Sequence, residues 1–600
     1  MATVRIPLAS SFNQRGIDGT EALISATDQR YLNCSFDVVT NPFTGASTVY
    51  VSKRPGWGVD SIVAAGSPST ALIKPQSFLA TLTAFGATNS TIYWGQTSVG
   101  AITGLALHMT ETIVSGVNYV MIKSSDGTGW YYADGAKDVT AYTADGNNST
   151  TITDIKIAGA NSTAGLYPGQ LLSAATNIVA GTRIVSVDSG AYTAVLDTAT
   201  TDGAFSDLAI TKTPIAKILD SDFITTGTVQ SAFVEMNGYL FYVVDATGKL
   251  YNSNINSITA YTSIDFLSPN LAPDPPIAIA RHQDKIIVFG ASSREVYQDV
   301  ANKTGSPLER IPQYFSNVGV LNQRSITRDG EDNIYFVSSA STGDIGVYQL
   351  HNLQATRIST PQIDRILGTS SATGGDIYAN VFRLGGYTYL SLYISNTTTT
   401  SLNILLETSD AMLLEDANNL LLEGAISSTT SFVRNLVYNV ELKIWSEWDS
   451  SIPTFTDGSS SNNFNQIFAT SRSVTDGKVY TISPISQGNL YQDDGVNYTT
   501  EIRTAKIDLW TSKRKRIHSI RLICDADATG TCTLEWSDDD YATWSTARSF
   551  DLTSKEPKLP ACGSHKGYRA YRLTHTGNAP FRAEALEIEY ESEDNKVRRI

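Results

Sequence analysis

Apolar residues in this chain fall in runs, each closed by a turn and followed by a strand with an aromatic residue. Val234 to Val244 precedes Gly248-Lys-Leu-Tyr251, Lys285 to Phe289 precedes Arg294-Glu-Val-Tyr297-Gln-Asp, and Asn333 to Val337 precedes Ile345-Gly-Val-Tyr348-Gln. Gly488-Asn-Leu-Tyr491-Gln-Asp repeats the mark, as does Trp445 in Lys443-Ile-Trp-Ser-Glu-Trp448, and Tyr93 and Tyr131 extend it toward the N-terminus. Tyr251 to Tyr297 is 46 residues, Tyr297 to Tyr348 is 51, and Trp445 to Tyr491 is again 46. Short strands repeating at about 40–50 residues are the pattern of propeller blades. Such a unit cannot bury both its faces alone and must stack on its neighbours. The pattern predicts an all-β chain built on a β-propeller of six or seven blades. Its blade-core aromatics are Tyr93, Tyr131, Tyr251, Tyr297, Tyr348, Trp445 and Tyr491.

Two intervals are too long, and each holds a distinct texture. Tyr131 to Tyr251 spans 120 residues, but 144–212 is rich in Thr, Ala, Gly and Asp, with short alternating runs such as Thr182-Arg-Ile-Val-Ser-Val187. That texture predicts a small inserted β-module with hairpin turns. Between Tyr348 and Trp445, Ile404-Leu-Leu-Glu407, Met412-Leu-Leu-Glu415 and Leu420-Leu-Leu-Glu423 recur every eight residues. An even period keeps equivalent residues on one side of an extended strand, so 397–431 reads as a β-arch or hairpin insertion, with a helix left open.

Residues 1–64 precede the first blade and read as N-terminal strands or an arm. The propeller is expected over 65–497, interrupted by 144–212 and 397–431. From Tyr498 onward, strands of alternating polarity such as Ser519-Ile-Arg-Leu-Ile-Cys524 and Ala583-Glu-Ala-Leu-Glu-Ile-Glu-Tyr590 are separated by turns. These predict a C-terminal antiparallel β-sandwich over 498–592, followed by a basic tail at 593–600.

Composition narrows the function. The 600 residues exceed one compact core. No apolar run is long enough for a membrane span, and the start Met1-Ala-Thr-Val-Arg-Ile-Pro7 lacks a secretory leader, so synthesis in a cytoplasm is expected. A net charge of −15 argues against a conventional nucleic-acid binder, which needs a basic surface; it suits solubility, or a wall along which a polyanion slides. Cys34, Cys524, Cys532 and Cys562 have no CxxC pairing and are expected as buried free thiols.

Candidate chemistry is sparse. The six histidines form no HExxH, no GxSxG elbow or P-loop occurs, and no residue is assigned as catalytic, cofactor-binding or metal-ligating. Asp329, Glu331 and Asp332 around Gly330 read as a hairpin turn, with calcium ligation as the alternative. Ser537-Asp-Asp-Asp-Tyr-Ala-Thr-Trp544 approximates an Asp-box, in which a carboxylate caps a turn; here Tyr541 replaces the glycine. Lys513-Arg-Lys-Arg516 is the strongest cationic run. It reads as a solvated strand edge, or as a docking patch of Lys513, Arg514, Lys515 and Arg516 for an acidic neighbour, or least readily as a DNA contact.

One stretch is specific enough for a family. Ile287-Val-Phe-Gly290-Ala-Ser-Ser-Arg-Glu295-Val-Tyr297, then Pro307-Leu-Glu-Arg310-Ile, Gly319, Ile334-Tyr-Phe336, Gly346-Val-Tyr348 and Thr356-Arg357 resemble the tail-nozzle, packaged-DNA-stabilising proteins of short-tailed bacteriophages. Arg54-Pro-Gly-Trp57 resembles the same family's N-terminal signature. The resemblance implies a structural virion protein made in the host cytoplasm: a homo-hexameric ring below portal and adaptor, continuing the DNA channel, touching genomic duplex transiently, and anchoring fibres or spikes. It implies no enzyme and no cofactor. The competing reading is a carbohydrate-binding or glycan-cleaving propeller, which predicts carboxylates, arginines and aromatics gathered at one end of the blades.

Overall fold

The computed structural model describes residues 2–9, 29–40, 47–65, 69–73, 85–339, 345–372, 376–400, 428–449, 455–461, 466–471, 476–482, 491–525 and 529–592, a few single positions apart. Strands dominate, and the α-helices among the described residues are Ser221–Thr226 and Pro361–Ala372. The octad repeat and the basic tail lie outside the described residues.

Among the described residues seven antiparallel blades of four strands follow the chain, the second and sixth as parts of larger sheets. Blade one is Ser69–Ile73 to Thr97–Ala101. Blade two is Ala106–Val114, Val117–Ser124 and Gly129–Ala133 with the end of Ala204–Lys217. Blades three, four and five run Val234–Met236 to Tyr261–Leu267, Pro276–His282 to Leu308–Arg310, and Ile326–Arg328 to Gln354–Arg357. Blade six is Asp376–Leu384, Tyr387–Thr400, Ser428–Asn439 and Ile444–Glu447. Blade seven takes Phe455–Ser461, Gln466–Ser471 and Asp476–Ile482 and completes itself with Trp57–Ala65. First strands of neighbouring blades lie side by side, with the turn Gln323–Ser325 taking that place between blades four and five, and Phe455–Ser461 returns to Ser69–Ile73, so the ring closes. Trp57–Ala65, expected largely within an arm ahead of the propeller, is the strand that fastens the last blade to the first part of the chain.

The apolar runs have a direct cause. A second strand is covered by a neighbouring blade on each face, so both of its side-chain sets are buried. In Tyr239–Val244, Leu240, Tyr242 and Val244 pack toward blade two with Met121 and Tyr131, while Phe241 and Val243 pack toward blade four with Ile286 and Val288. Separate apolar clusters of this kind fill the six successive interfaces from blades one and two to blades six and seven.

The inserted module has its own core of Tyr142, Ile152, Ile155, Leu172, Ile184, Leu196 and Ile210. It shares one strand with blade two: Ala204 to Thr211 pairs with Ala141–Asn147, whereas Ile215, Ala216 and Lys217 pair with Tyr132, Tyr131 and Trp130. The terminal sandwich draws on both ends of the chain. Ala2–Pro7, Cys34–Thr40 and Ser47–Lys53 join Arg514–Cys524 and Arg582–Ser592 in one sheet, and Arg30–Leu32 joins Thr500–Arg503, Ala570–Thr576 and Thr531–Ser537 in the other. The N-terminal strands are therefore built into the sandwich. Cys34, Cys532 and Cys562 are buried in it and all four thiols are free.

Candidate functional site

The aromatic marks occupy related but not identical places. Tyr93, Tyr131, Tyr251, Tyr297 and Tyr348 all lie on third strands. Tyr251 stacks on Tyr242 at 5.8 Å and Tyr348 on Phe336 at 5.7 Å. Trp445 is on the fourth strand of blade six, where it pairs with Tyr438 of the third. Tyr491 lies beyond the blades, on the loop leading to the sandwich. The third-strand equivalent in blade seven is Tyr480, buried against blade six. Gly477-Lys-Val-Tyr480 matches Gly248-Lys-Leu-Tyr251 more closely than the Tyr491 segment does, and that match is the signal that finds it.

The first strands enclose a cavity of about 660 Å³ on the propeller axis, lined by blades one to six. Side chains brace it from blade to blade. Arg281 of blade four pairs with Glu235 of blade three at 2.9 Å, and Arg383 of blade six with Glu331 at 3.1 Å. Gln323 meets the Ile279 N–H and carbonyl at 2.9 and 3.0 Å. Arg324 donates to the Leu107 carbonyl of blade two at 3.2 Å and to the Tyr378 hydroxyl of blade six at 2.6 Å. On the same wall His108 is held neutral, its pKa pushed well below the ordinary value by burial and by the nearby Arg324 and Lys123. The lining holds four arginines (281, 324, 328, 383) and four carboxylates (Glu111, Glu235, Asp329, Asp332), so its formal charges cancel. The chain's acidity is not concentrated here. A volume of about 660 Å³ is in the range of small-molecule pockets.

The Asp329 turn is self-contained: its carboxylate accepts from the Glu331 and Asn333 N–H groups at 2.8 and 2.9 Å and from the Tyr335 hydroxyl at 3.1 Å. Among the described residues, Asp145, Asp154 and Asp207 in the module also gather their carboxylates. The Lys156 ammonium already sits on two of them, at 2.5 Å from Asp154 and 3.1 Å from Asp207. In the sandwich, Asp539 accepts from Ser537 Oγ and the Thr543 N–H at 2.8 and 2.9 Å, capping the Asp-box-like turn. Tyr541 takes the left-handed backbone there, φ 66°, where glycine is usual.

The cationic run divides by side. Lys513, Arg514 and Arg516 are exposed, but Lys515 is fully buried and donates to the Asp508 and Gly567 carbonyls at 2.6 and 2.8 Å and to that of Thr511. Alternation along Arg514–Cys524 turns Lys515 inward. It tethers two turns and leaves the patch, so the docking surface loses one of its four expected members.

Between propeller and sandwich, Arg54 and Asp493 form an ion pair with both side chains fully buried. All five guanidinium N–H donors find acceptors: Asn33 Oδ1 at 2.9 Å, the Pro55 and Asp449 carbonyls at 2.9 and 2.7 Å, and Asp493 Oδ1 and Oδ2 at 2.9 and 2.7 Å. Burial alone would push the Arg54 pKa down, but Asp493 and Tyr498 more than offset it and hold it above its ordinary value. Asp493 also caps the Trp57 N–H at 3.0 Å, the first residue of the strand that closes blade seven. A Cβ on Gly56 would lie 1.9 Å from the Gln492 carbonyl oxygen. Arg54 and Asp493 both belong to segments prominent in the sequence, yet 439 residues separate them and nothing in either predicts the pairing.

Comparison with known proteins places one segment. Residues 176–399 match the family Phage_stabilise, described as "Bacteriophage P22 Gp10, beta-propeller". The resemblance is to the phage DNA-stabilising tail proteins. No curated protein matches the chain. Solved structures similar to it include the exo-beta-1,3-galactanase of Phanerochaete chrysosporium with galactose, at 10% identity, 61% of this chain, 97% of that chain and a TM-score of 0.23. A variant of that enzyme with beta-1,3-galactotriose gives 9% identity, the same coverages and the same TM-score. At that score these likenesses carry no argument about the chain. Within the phage-stabilisation stretch the distinctive residues are scaffold. Tyr297 donates to Glu295 at 2.6 Å, Arg310 pairs with Glu295 at 2.7 Å, and Glu295 caps the Leu271 N–H at 2.8 Å. Arg357 pairs with Asp364 of the helix Pro361–Ala372 at 2.7 Å, and a Cβ on Gly319 would lie 2.3 Å from the Ala291 backbone.

Proposed function

We propose that this protein forms the nozzle or hub ring of a short-tailed phage, six copies enclosing the channel through which packaged DNA is retained and then released, and anchoring fibres or spikes at its outer face. The observation that carries the reading is the match of 176–399 to a phage-stabilisation propeller. It is supported by where the distinctive residues of that stretch go, into bracing strands and the loops that connect them. A ring of identical subunits needs a rigid wall more than a reactive site, because one heterologous contact repeated six times closes it. The chain's acidity is not concentrated in the axial cavity, which favours a DNA path between subunits over one through any single propeller. Among the described residues no helix is long and apolar enough to cross a membrane.

The carbohydrate reading has one observation in its favour: arginines, carboxylates, Phe233 and Phe382 do gather at the axial cavity. Glu235 and Asp332, however, are held by arginines, and Asp329 by its own turn. Incubating purified protein with host surface polysaccharide separates the two: sugar release abolished by one carboxylate substitution establishes the enzyme and sinks the nozzle-only role.

A further inference from the structure

We propose that the axial cavity binds a small oxyanion, a phosphate or carboxylate group, through Arg324 and Asn380. Three of the four cavity arginines face carboxylates: Arg281 faces Glu235, Arg328 faces Asp332 and Arg383 faces Glu331. Arg324 differs. Its hydrogen bonds go to neutral oxygens, the Leu107 carbonyl at 3.2 Å and the Tyr378 hydroxyl at 2.6 Å. A guanidinium carries five donors, so Arg324 has spare N–H groups and, among the described residues, no carboxylate hydrogen-bonded to it.

Asn380 supplies the second observation. It lines the same cavity, is 5% exposed, and its Nδ2 has no hydrogen-bond partner. Tyr378 and Asn380 are alternate residues of the strand Asp376–Leu384, hence on one face and about 6.5 Å apart along it. Since Tyr378 accepts from Arg324, the spare donors of Arg324 and the amide of Asn380 serve the same side of blade six. A guanidinium beside an amide N–H₂ is a donor set for oxygens of a carboxylate or phosphate, which accept several hydrogen bonds at once. Glu111 and Asp329 on the wall disfavour a polyanion, so the site takes a small group. The cavity volume of about 660 Å³ falls within the range of ligand pockets and leaves room for whatever carries the anion.

The test is titration calorimetry of the intact protein with inorganic phosphate and, separately, with acetate, at constant ionic strength set by sodium chloride. One of the two must give a saturable heat that chloride does not, and the tighter of them identifies the ligand class. Asn380→Ala leaves the Arg324 brace in place and should weaken that binding at least fivefold; Arg324→Gln should abolish it. Absence of saturable binding by either anion overturns the proposal, as does an Asn380→Ala protein that binds as well as the wild type.

Discussion

Replacing Asp493 by Asn should weaken the junction between propeller and sandwich. The substitution keeps the shape of the side chain but removes its charge, and turns one acceptor into a donor facing a guanidinium. In the native joint Asp493 accepts two bonds from Arg54, at 2.9 and 2.7 Å, and one from the Trp57 N–H at 3.0 Å, with both charged side chains at 0% exposure. Removing one partner of such a pair strands the other charge away from water and costs about 3–5 kcal/mol. Exchanging both partners for apolar residues of similar size, as in Arg54→Met with Asp493→Leu, should cost far less, because the charge is gone with its desolvation penalty. Calorimetric unfolding of wild type, both single variants and the double variant is the assay. Asp493→Asn should move the transition to lower temperature by the cost of the stranded charge, while the strand pairing of Leu32 with Glu447 and the Trp448 bond to the Cys34 carbonyl still hold the domains together. A single unshifted transition for Asp493→Asn, or a double variant as damaged as either single one, would refute the claim that this pair couples the domains.

Three further outcomes follow from the structure. Gly56→Ala should lower stability by more than about 2 kcal/mol in the same experiment, because its Cβ would meet the Gln492 carbonyl at 1.9 Å and only backbone movement relieves that. Burial pushes His565 and His575 down to about 4 from an ordinary 6.5. Both fold neutral while the unfolded chain binds protons first, so stability is complete above pH 6.5 and falls as pH drops toward 4, by about 2–3 kcal/mol per histidine; His575→Phe, which keeps the stacking on Phe581, should flatten that slope in urea titrations across the window. Deleting 144–212 should leave a folded propeller, since the module's core is separate, but with a lower Tm because Tyr131 loses its bond to Pro168 and Trp130 loses Arg183 from its face; complete loss of folding would show that the module is part of the blade.

Sequence periodicity reveals the blades because a strand covered on both faces must be apolar throughout, a signal that survives in Tyr239–Val244 and Lys285–Gly290. It fails where blades are assembled from distant segments. Trp57–Ala65 reads as an isolated strand until its partner Asp476–Ile482 is known, and Trp445, on the fourth strand of blade six instead of the third, starts the count one strand late, so that spacing points to Tyr491 where blade seven uses Tyr480. Lys515 groups with its neighbours in the sequence because a four-residue run hides the alternation that buries one member. Arg324 and Asn380 carry no local motif at all; they acquire meaning only when the ring brings blades two, five and six to one axis.

The central claim concerns assembly, and a symmetry determination on intact tail particles by electron cryomicroscopy tests it most directly. The account predicts six copies around a DNA-filled axis, each propeller standing in the wall with its own axial cavity free of duplex. A single copy on the tail axis, or duplex density running through the middle of a propeller, would contradict it.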